Sequence, residues 1–312
     1  MNIVHIKSKE VKLSVENYEL SFFKEDILTK RLPLVAIDSI FIYSNCTINT
    51  KDLVTLKDYE IDVAVLNESG RIKCRFVSDS NKYSILRYKQ YIFCSKKSNR
   101  IYGLQWIARK MEGRVNYLKA YNINSTEWEK YRNYITHNIE SDIQHINLKE
   151  APAAKKYYRV INELLPKEYQ FSKRTKRPAT DIFNSLLNYV YALLYNLVED
   201  AIIDAGLDPH IGLLHGLEKN KKALLFDMIE PYRPWAEQFI IDFVRTNKIT
   251  AQNPMKDDNG IRISKTNKII LIKGWQEYID IISRYQGKQM SKKNHIYHHA
   301  ASLAKQIKKL RI

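Results

Sequence analysis

The sequence predicts an α+β protein, with a small N-terminal β-sheet domain followed by a larger all-α domain. Three observations carry that prediction. Short runs rich in β-branched and aromatic residues fill the first 78 residues, and apolar residues at helical spacing dominate the rest of the chain. The charge changes at the same place: residues 1–80 hold 11 basic and 12 acidic side chains, and the remainder holds 40 against 22. A chain of 312 residues also exceeds one typical domain, so two are expected.

Strands are expected at Ile37–Tyr43, Ile61–Asn67 and Arg71–Val77. The turn signal Asn67, Glu68, Ser69, Gly70 joins the last two as a hairpin. Asn49 to Leu53 looks like the start of a short helix or a turn. The β-domain is placed at residues 1–78, a linker at 79–82 and the helical domain at 83–312. Within the latter, Thr126 and Glu129 fit a capping box for a helix running towards Ile146. Glu150 and Pro152 stand at the opening of another, which closes near Leu164. The clearest helix runs from Asp181 to Ala205. Its apolar positions from Phe183 to Ile202 share one face, Asp181 or Thr180 caps its start, and Gly206 supplies a left-handed stop.

The formal net charge of +17 points first to nucleic acid, because each neutralised phosphate releases condensed counterions. An anionic membrane or an acidic protein would draw on the same charge. Residues 81–120 hold ten Lys or Arg against one acid, Glu112, and residues 281–312 hold eight against none. The helical half is therefore expected to face nucleic acid, and the β half to serve assembly. Cys46, Cys74 and Cys94 lie too far apart for a disulfide framework or an ordinary cysteine zinc site, and are expected to pack as small buried groups. No signal-peptide run opens the chain, and no stretch is read as reaching the roughly 18 to 20 apolar residues of a spanning helix. A cytoplasmic protein off the membrane is the expectation.

The chain has no Walker loop, dinucleotide fingerprint, zincin motif or nucleophile elbow. Attention falls instead on acids and histidines in apolar settings. His215 follows the apolar run Ile211–Leu214, and Asp227 and Glu230 fall in or beside the apolar stretch Ala223–Ile229. An acid there costs free energy unless a cation or donor offsets it. A metal site, or a buried salt bridge with a satisfied core histidine, would each meet that need. A three-residue step places Asp227 and Glu230 on one side of a helix. Pro231 disfavours α conformation at Glu230, so a kink or a fresh helix start is the alternative. Lys173, Arg174, Lys176 and Arg177 cluster before the long helix, as phosphate contacts or as a solvated loop. Tyr191 and Tyr195 could stack on a base or orient a phosphate, but their helical spacing favours core packing. Lys292 and Lys293 open a basic C-terminal segment in which His295 and His298 could imitate a metal pair. No acid or cysteine stands near them, so phosphate contact or exposure is expected.

Taken in series, these elements resemble a known family. They are Glu150 with Ala153, Ala154 and Tyr157; Lys176, Arg177 and Pro178 leading to Asp181 and Asn184; Tyr191 to Tyr195; Ala205 to Pro209; Gly212 to His215; and Asp227, Glu230, Arg233 and Pro234. Their order and spacing resemble the CRISPR-associated adaptation integrase and endonuclease family. The resemblance implies a homodimerising β-domain and an α-domain holding the catalytic site. It implies Mg²⁺ or Mn²⁺ on Glu150, His215 and Glu230, with Asp227 as a further catalytic acid beside the metal or orienting its waters. It further implies joining of the 3′-hydroxyl ends of short foreign double-stranded DNA to a CRISPR leader-repeat by transesterification, together with a small second adaptation protein. A non-catalytic DNA-binding scaffold subunit and a casposon-type integrase are the alternatives.

Overall fold

A computed structural model describes residues 3–67, 70, 72–76, 83–137, 143–176, 178–215, 221–246, 248–249, 255–257 and 260–311. The chain forms two compact units, Met1–Asn81 and Lys82–Ile312.

The first unit holds strands β1 (Ile3–Ile6), β2 (Val11–Glu16), β3 (Glu19–Lys24), β4 (Ile27–Pro33), β5 (Ser39–Ile42), β6 (Cys46–Ile48), β7 (Asp62–Leu66) and β8 (Ile72–Phe76). They make two four-stranded sheets, in the orders β1-β5-β7-β8 and β4-β3-β2-β6. The expected hairpin is β7–β8, antiparallel with Val63 opposite Phe76. The stretch after Asn49 is a full helix, α1 (Thr50–Asp58), because the Asn49 side chain accepts from Asp52 N at 2.8 Å and caps it. Leu13, Leu20, Leu34, Ile40, Leu56 and Val63 belong to the core of this unit. Cys74 is exposed on β8, contrary to the buried role expected of it.

The second unit holds α2 (Ser84–Ser95), α3 (Arg100–Ala120), α4 (Thr126–His137), α5 (Ile143–Glu163), α6 (Ile182–Asp204), α7 (Ala223–Met228), α8 (Arg233–Arg245), α9 (Lys265–Asp280) and α10 (Lys292–Lys308). It is mostly helical but not all-α. Two small hairpins interrupt it: β9 (Met255–Asp257) with β10 (Gly260–Arg262), and β11 (Ile282–Tyr285) with β12 (Lys288–Ser291). The second hairpin turns on Gln286 and Gly287, both at positive φ (51° and 77°), the geometry that matches the twist of paired strands. Four-residue strands leave too short a pattern to stand out in the sequence.

Helix α6 is the spine of this unit. Asp181 Oδ1 accepts from Asn184 N at 2.7 Å, so Asp181 and not Thr180 is the cap, and Gly206 closes the helix at φ 79°. Among the described residues α6 is also the one helix long and apolar enough to cross a membrane, which corrects the expectation that no such stretch exists. Most of it is buried inside the protein, as a core helix would be.

Two helix boundaries differ from expectation. At the start of α4 the expected pairing of Thr126 with Glu129 is replaced by a side-chain contact, Ser125 Oγ donating to Glu129 Oε1 at 2.8 Å, and α4 is described only as far as His137. Helix α5 starts before Glu150, so Glu150 lies inside the helix and Pro152 is an internal proline. A proline there cannot donate to the carbonyl one turn back, which loosens the turn carrying Glu150. Trp128 of α4 packs against the same turn, its indole N–H donating to Ala153 O at 3.0 Å.

Candidate functional site

The site is built around α3. Lys110 and Arg114 stand one turn apart on its buried face, among Ile107, Met111, Val115 and Leu118. Lys110, 2% exposed, donates to two carboxylates at once: Glu150 Oε1 from α5 and Glu230 Oε2. Glu230 reaches it from a short 3-10 turn, Glu230–Tyr232, that follows α7. Pro231 thus does break the helix, and Asp227 and Glu230 lie in different elements. The second oxygen of Glu230 accepts from Arg233 Nε at 2.7 Å, and Arg233 Nη2 is fixed by Tyr195 Oη at 2.9 Å. Burial pushes the Glu230 carboxyl up, but Arg233 and Lys110 outweigh it and hold it down at about 2. Glu230 is therefore an anion at neutral pH.

His215 and Asp227 form a second group. Asp227 is fully buried, and its carboxylate accepts from Leu213 N at 2.6 Å, Leu214 N at 2.9 Å and His215 N at 3.3 Å. The same carboxylate meets His215 Nδ1 at 2.5 Å. Gly212 permits this wrapping, because a Cβ there would sit 2.7 Å from Asp227 Oδ2. With Nδ1 held by the carboxylate as the N–H tautomer, Nε2 is left as the free lone pair of the ring. Asp227 is thus saturated by the loop it holds. It positions His215 and has no lone pair to spare for a second ion.

Among the described residues, no three His, Cys, Asp or Glu side chains are assembled so as to hold a metal ion. Glu150 and Glu230 are brought together, and His215 is brought to Asp227. The expected convergence of Glu150, His215 and Glu230 into one preformed cluster is not met. The physical reason lies in the partners: Lys110 takes a carboxylate oxygen from each glutamate, and Asp227 anchors the histidine loop. The donor chemistry nevertheless fits Mg²⁺ or Mn²⁺, with two hard carboxylate oxygens already centred on one cation and an imidazole with an available nitrogen.

One turn along α3, Arg114 makes a different pair, which the sequence reading missed. Its Nε and Nη2 donate to Glu237 of α8 at 3.0 and 2.6 Å. Tyr191 and Tyr158 hydroxyls add donations to Glu237 at 2.7 and 3.0 Å. Burial would raise the Glu237 carboxyl, but Arg114 and the tyrosines hold it below the usual carboxylate range. The signal was present in the sequence: Lys110 and Arg114 occupy positions of an otherwise apolar helix face.

The predicted DNA contacts divide. Lys173 and Lys176 are exposed, and Lys176 lies within electrostatic reach of Glu230, Glu150, Arg174 and Arg233. Arg174 instead folds back, donating to Asn184 Oδ1 at 2.8 Å and Asn188 Oδ1 at 2.7 Å, which corrects its reading as a free phosphate contact. Arg177 lies outside the described residues. Lys292 is half-buried with its ammonium 4.6 Å over the Tyr278 ring, and Lys293 is buried at 7% exposure, so neither is the open surface charge expected. His295 is buried too, with Nε2 on Ser283 O at 2.9 Å, while His298 is exposed; they make no metal pair.

Residues 4–277 match the family model of the CRISPR-associated protein Cas1. A CRISPR-associated protein Cas1 of Methanobrevibacter ruminantium is 27% identical over 83% of this chain and 86% of its own. A CRISPR-associated endonuclease Cas1 of Thermodesulfovibrio yellowstonii is 26% identical, covering 86% and 88%. Among solved structures, a Cas1 protein of Thermotoga maritima superposes with a TM-score of 0.85 at 20% identity, over 100% of this chain and 98% of that one. A casposase bound to its integration product reaches 0.81 at 20% identity, covering 100% and 92%. A chain of a Cas6-RT-Cas1–Cas2 complex also reaches 0.81 at 20% identity, covering 98% of this chain and 35% of that longer one. With the family model spanning nearly the whole sequence, and with the glutamate, histidine and acidic segments standing in the helical unit, this chain belongs to the Cas1 family.

Proposed function

We propose that this protein is a Cas1 endonuclease and integrase of CRISPR adaptation. In this reading it is a metal-dependent enzyme that joins 3′-hydroxyl ends of short DNA to the array by transesterification. The observation that carries the chemistry is the pairing of Glu150 and Glu230, 80 residues apart in the chain, on one buried cationic group.

In this reading Glu150 and Glu230 hold Mg²⁺ or Mn²⁺, with His215 as the third ligand through Nε2. A divalent ion bound there supplies Lewis acidity, lowering the pKa of the attacking hydroxyl and taking up charge on the phosphoryl and leaving oxygens. The protein's own groups do the rest. Asp227 fixes the tautomer and aim of His215. Arg233 keeps Glu230 ionised and oriented, and is itself held by Tyr195. Lys176, exposed beside these acids, is placed to meet a DNA phosphate.

For partners we propose double-stranded DNA, a second copy of this chain and the small adaptation protein Cas2. The net charge supports the first: +18 over residues 81–312 and −1 over residues 1–80. The edge strand β4 supports assembly through the first unit. It is solvent-exposed for most of its length and presents Ile27 and Leu28, apolar side chains that an edge normally protects. A Cas1-like chain also stands in a named complex with Cas2. A cytoplasmic location follows from this role.

The test is a strand-transfer assay with a short 3′-ended duplex and a supercoiled plasmid carrying a leader and repeat. The wild type should join the ends only with Mn²⁺ or Mg²⁺, and His215→Ala should bind the duplex without joining it. Joining by His215→Ala at the wild-type rate would sink the assignment. A non-catalytic scaffold would give no joining from any variant, and would show no Mn²⁺ site by titration.

A further inference from the structure

We propose that Lys110 is a resident cation of the site, whose ammonium keeps Glu150 and Glu230 paired and must leave before a divalent ion can take its place. The inference rests on the metal reading of Glu150 and Glu230 and adds a competitor to it.

The geometry is specific. Two carboxylates from elements remote in sequence each give an oxygen to the same ammonium, and Arg233 takes the other oxygen of Glu230. Without Lys110 two carboxylates would face each other with Arg233 on Glu230 and the exposed Lys176 within further electrostatic reach, and Glu230 itself is buried. A cation between them therefore stabilises the pair whenever no other ion is bound. The choice of lysine matters. An ammonium is a compact point charge on a four-carbon stem that can swing aside, whereas a guanidinium binds through a rigid two-pronged fork. Arg114, one turn away, shows that alternative in use: it grips Glu237 through two donors at once. The side chain of Glu150 is 26% exposed, against 3% for that of Lys110, so the shared oxygens can be approached from the Glu150 side while the lysine stem stays packed.

Two cations with like charge cannot both sit between Glu150 Oε1 and Glu230 Oε2. An ion that bridges these two oxygens therefore displaces Lys110, which weakens its apparent affinity and makes occupancy of the site depend on ion concentration. The positive charge set free remains on α3, facing the groups it has left.

The test uses the full chain and Mn²⁺ alone. Lys110→Met keeps most of the stem and removes the charge. By Mn²⁺ electron paramagnetic resonance it should bind the ion at least tenfold more tightly than the wild type. Its melting temperature should fall in chelator and recover with Mn²⁺ by more than the wild type gains. A Lys110→Met affinity equal to or weaker than the wild type, with Mn²⁺ bound by both, would overturn the proposal and leave Lys110 a structural ion pair. Absence of Mn²⁺ binding by both proteins would overturn the metal reading itself. If Lys110→Met does not fold, the wild type decides by amine acylation read by mass spectrometry. Lys110 should be protected in chelator and labelled when Mn²⁺ is bound; unchanged protection with the ion bound would refute displacement.

Discussion

Helix α3 carries two buried cations one turn apart, and they serve opposite ends. The acceptors of Glu237 are filled: it accepts from two guanidinium nitrogens of Arg114 and two tyrosine hydroxyls, and of these residues only Tyr158 is partly exposed. Lys110 is shared between two acids, one of which is partly exposed. A saturated pair holds helices together and offers nothing to a ligand. A shared ammonium holds carboxylate oxygens that another cation can claim by displacing it. Burial alone therefore does not separate a structural ion pair from a functional one; the count of satisfied lone pairs does.

Four experiments probe that contrast. The largest effect is expected at Glu150. Glu150→Gln should lower strand transfer by roughly a hundred- to a thousandfold, the scale of losing one electrostatic stabiliser of the transition state, here through the ion it would hold. Its duplex affinity should stay within about twofold, as filter binding would report, because the spread-out basic surface carries it. Retained joining would move the chemistry away from the Lys110 carboxylates.

Next in size is Glu237→Gln, a change to stability. Breaking one partner of a buried pair costs on the order of 3–5 kcal/mol, so the melting temperature should fall by many degrees. The pH dependence has a defined sign. The folded-state pKa of Glu237 is depressed, so its contribution is fully present above the unfolded carboxylate value of about 4.3 and is lost as pH falls through the folded value. Denaturant midpoints taken down that acid limb should therefore drop less steeply in Glu237→Gln than in the wild type. Parallel limbs would remove Glu237 from the structural role.

Asp227→Asn should weaken metal binding by about 10- to 100-fold, the usual scale for losing the group that orients a ligating histidine. The effect should be smaller than that of His215→Ala, because the imidazole survives with a less defined aim. Isothermal titration with Mn²⁺ ranks the two, and the reverse ranking would make Asp227 a ligand. The smallest effect is expected at Lys176. Its change to Ala should lower duplex affinity evenly across sequences and reduce the slope of log affinity against log salt by about 1, as for one lost phosphate contact. An unchanged slope would take Lys176 off the DNA path.

Much of this molecule was legible before any coordinates. The hairpin β7–β8 and the core helix α6 follow from local pattern, since strand alternation, the Asp181 cap and the Gly206 stop act over a few residues. The four acidic and histidine positions were singled out by motif order as candidates, and Pro231 foretold the break after α7. The hairpin β11–β12 escaped because two four-residue strands give almost no period to read. Internal Pro152 misled because proline is commoner at helix starts, whereas here the helix runs through it.

The sequence alone determined the two units, the charge divided between them and which side chains are chemically able to hold a metal or a phosphate. Tertiary structure decided who meets whom: Lys110 with Glu150 and Glu230, Arg114 with Glu237 and Asp227 with the His215 loop. The division has one physical cause. Caps, turns and periodic faces are set by neighbours along the chain, whereas ionic partners as much as 123 residues apart interact through distance and burial, which exist only once the helices have packed.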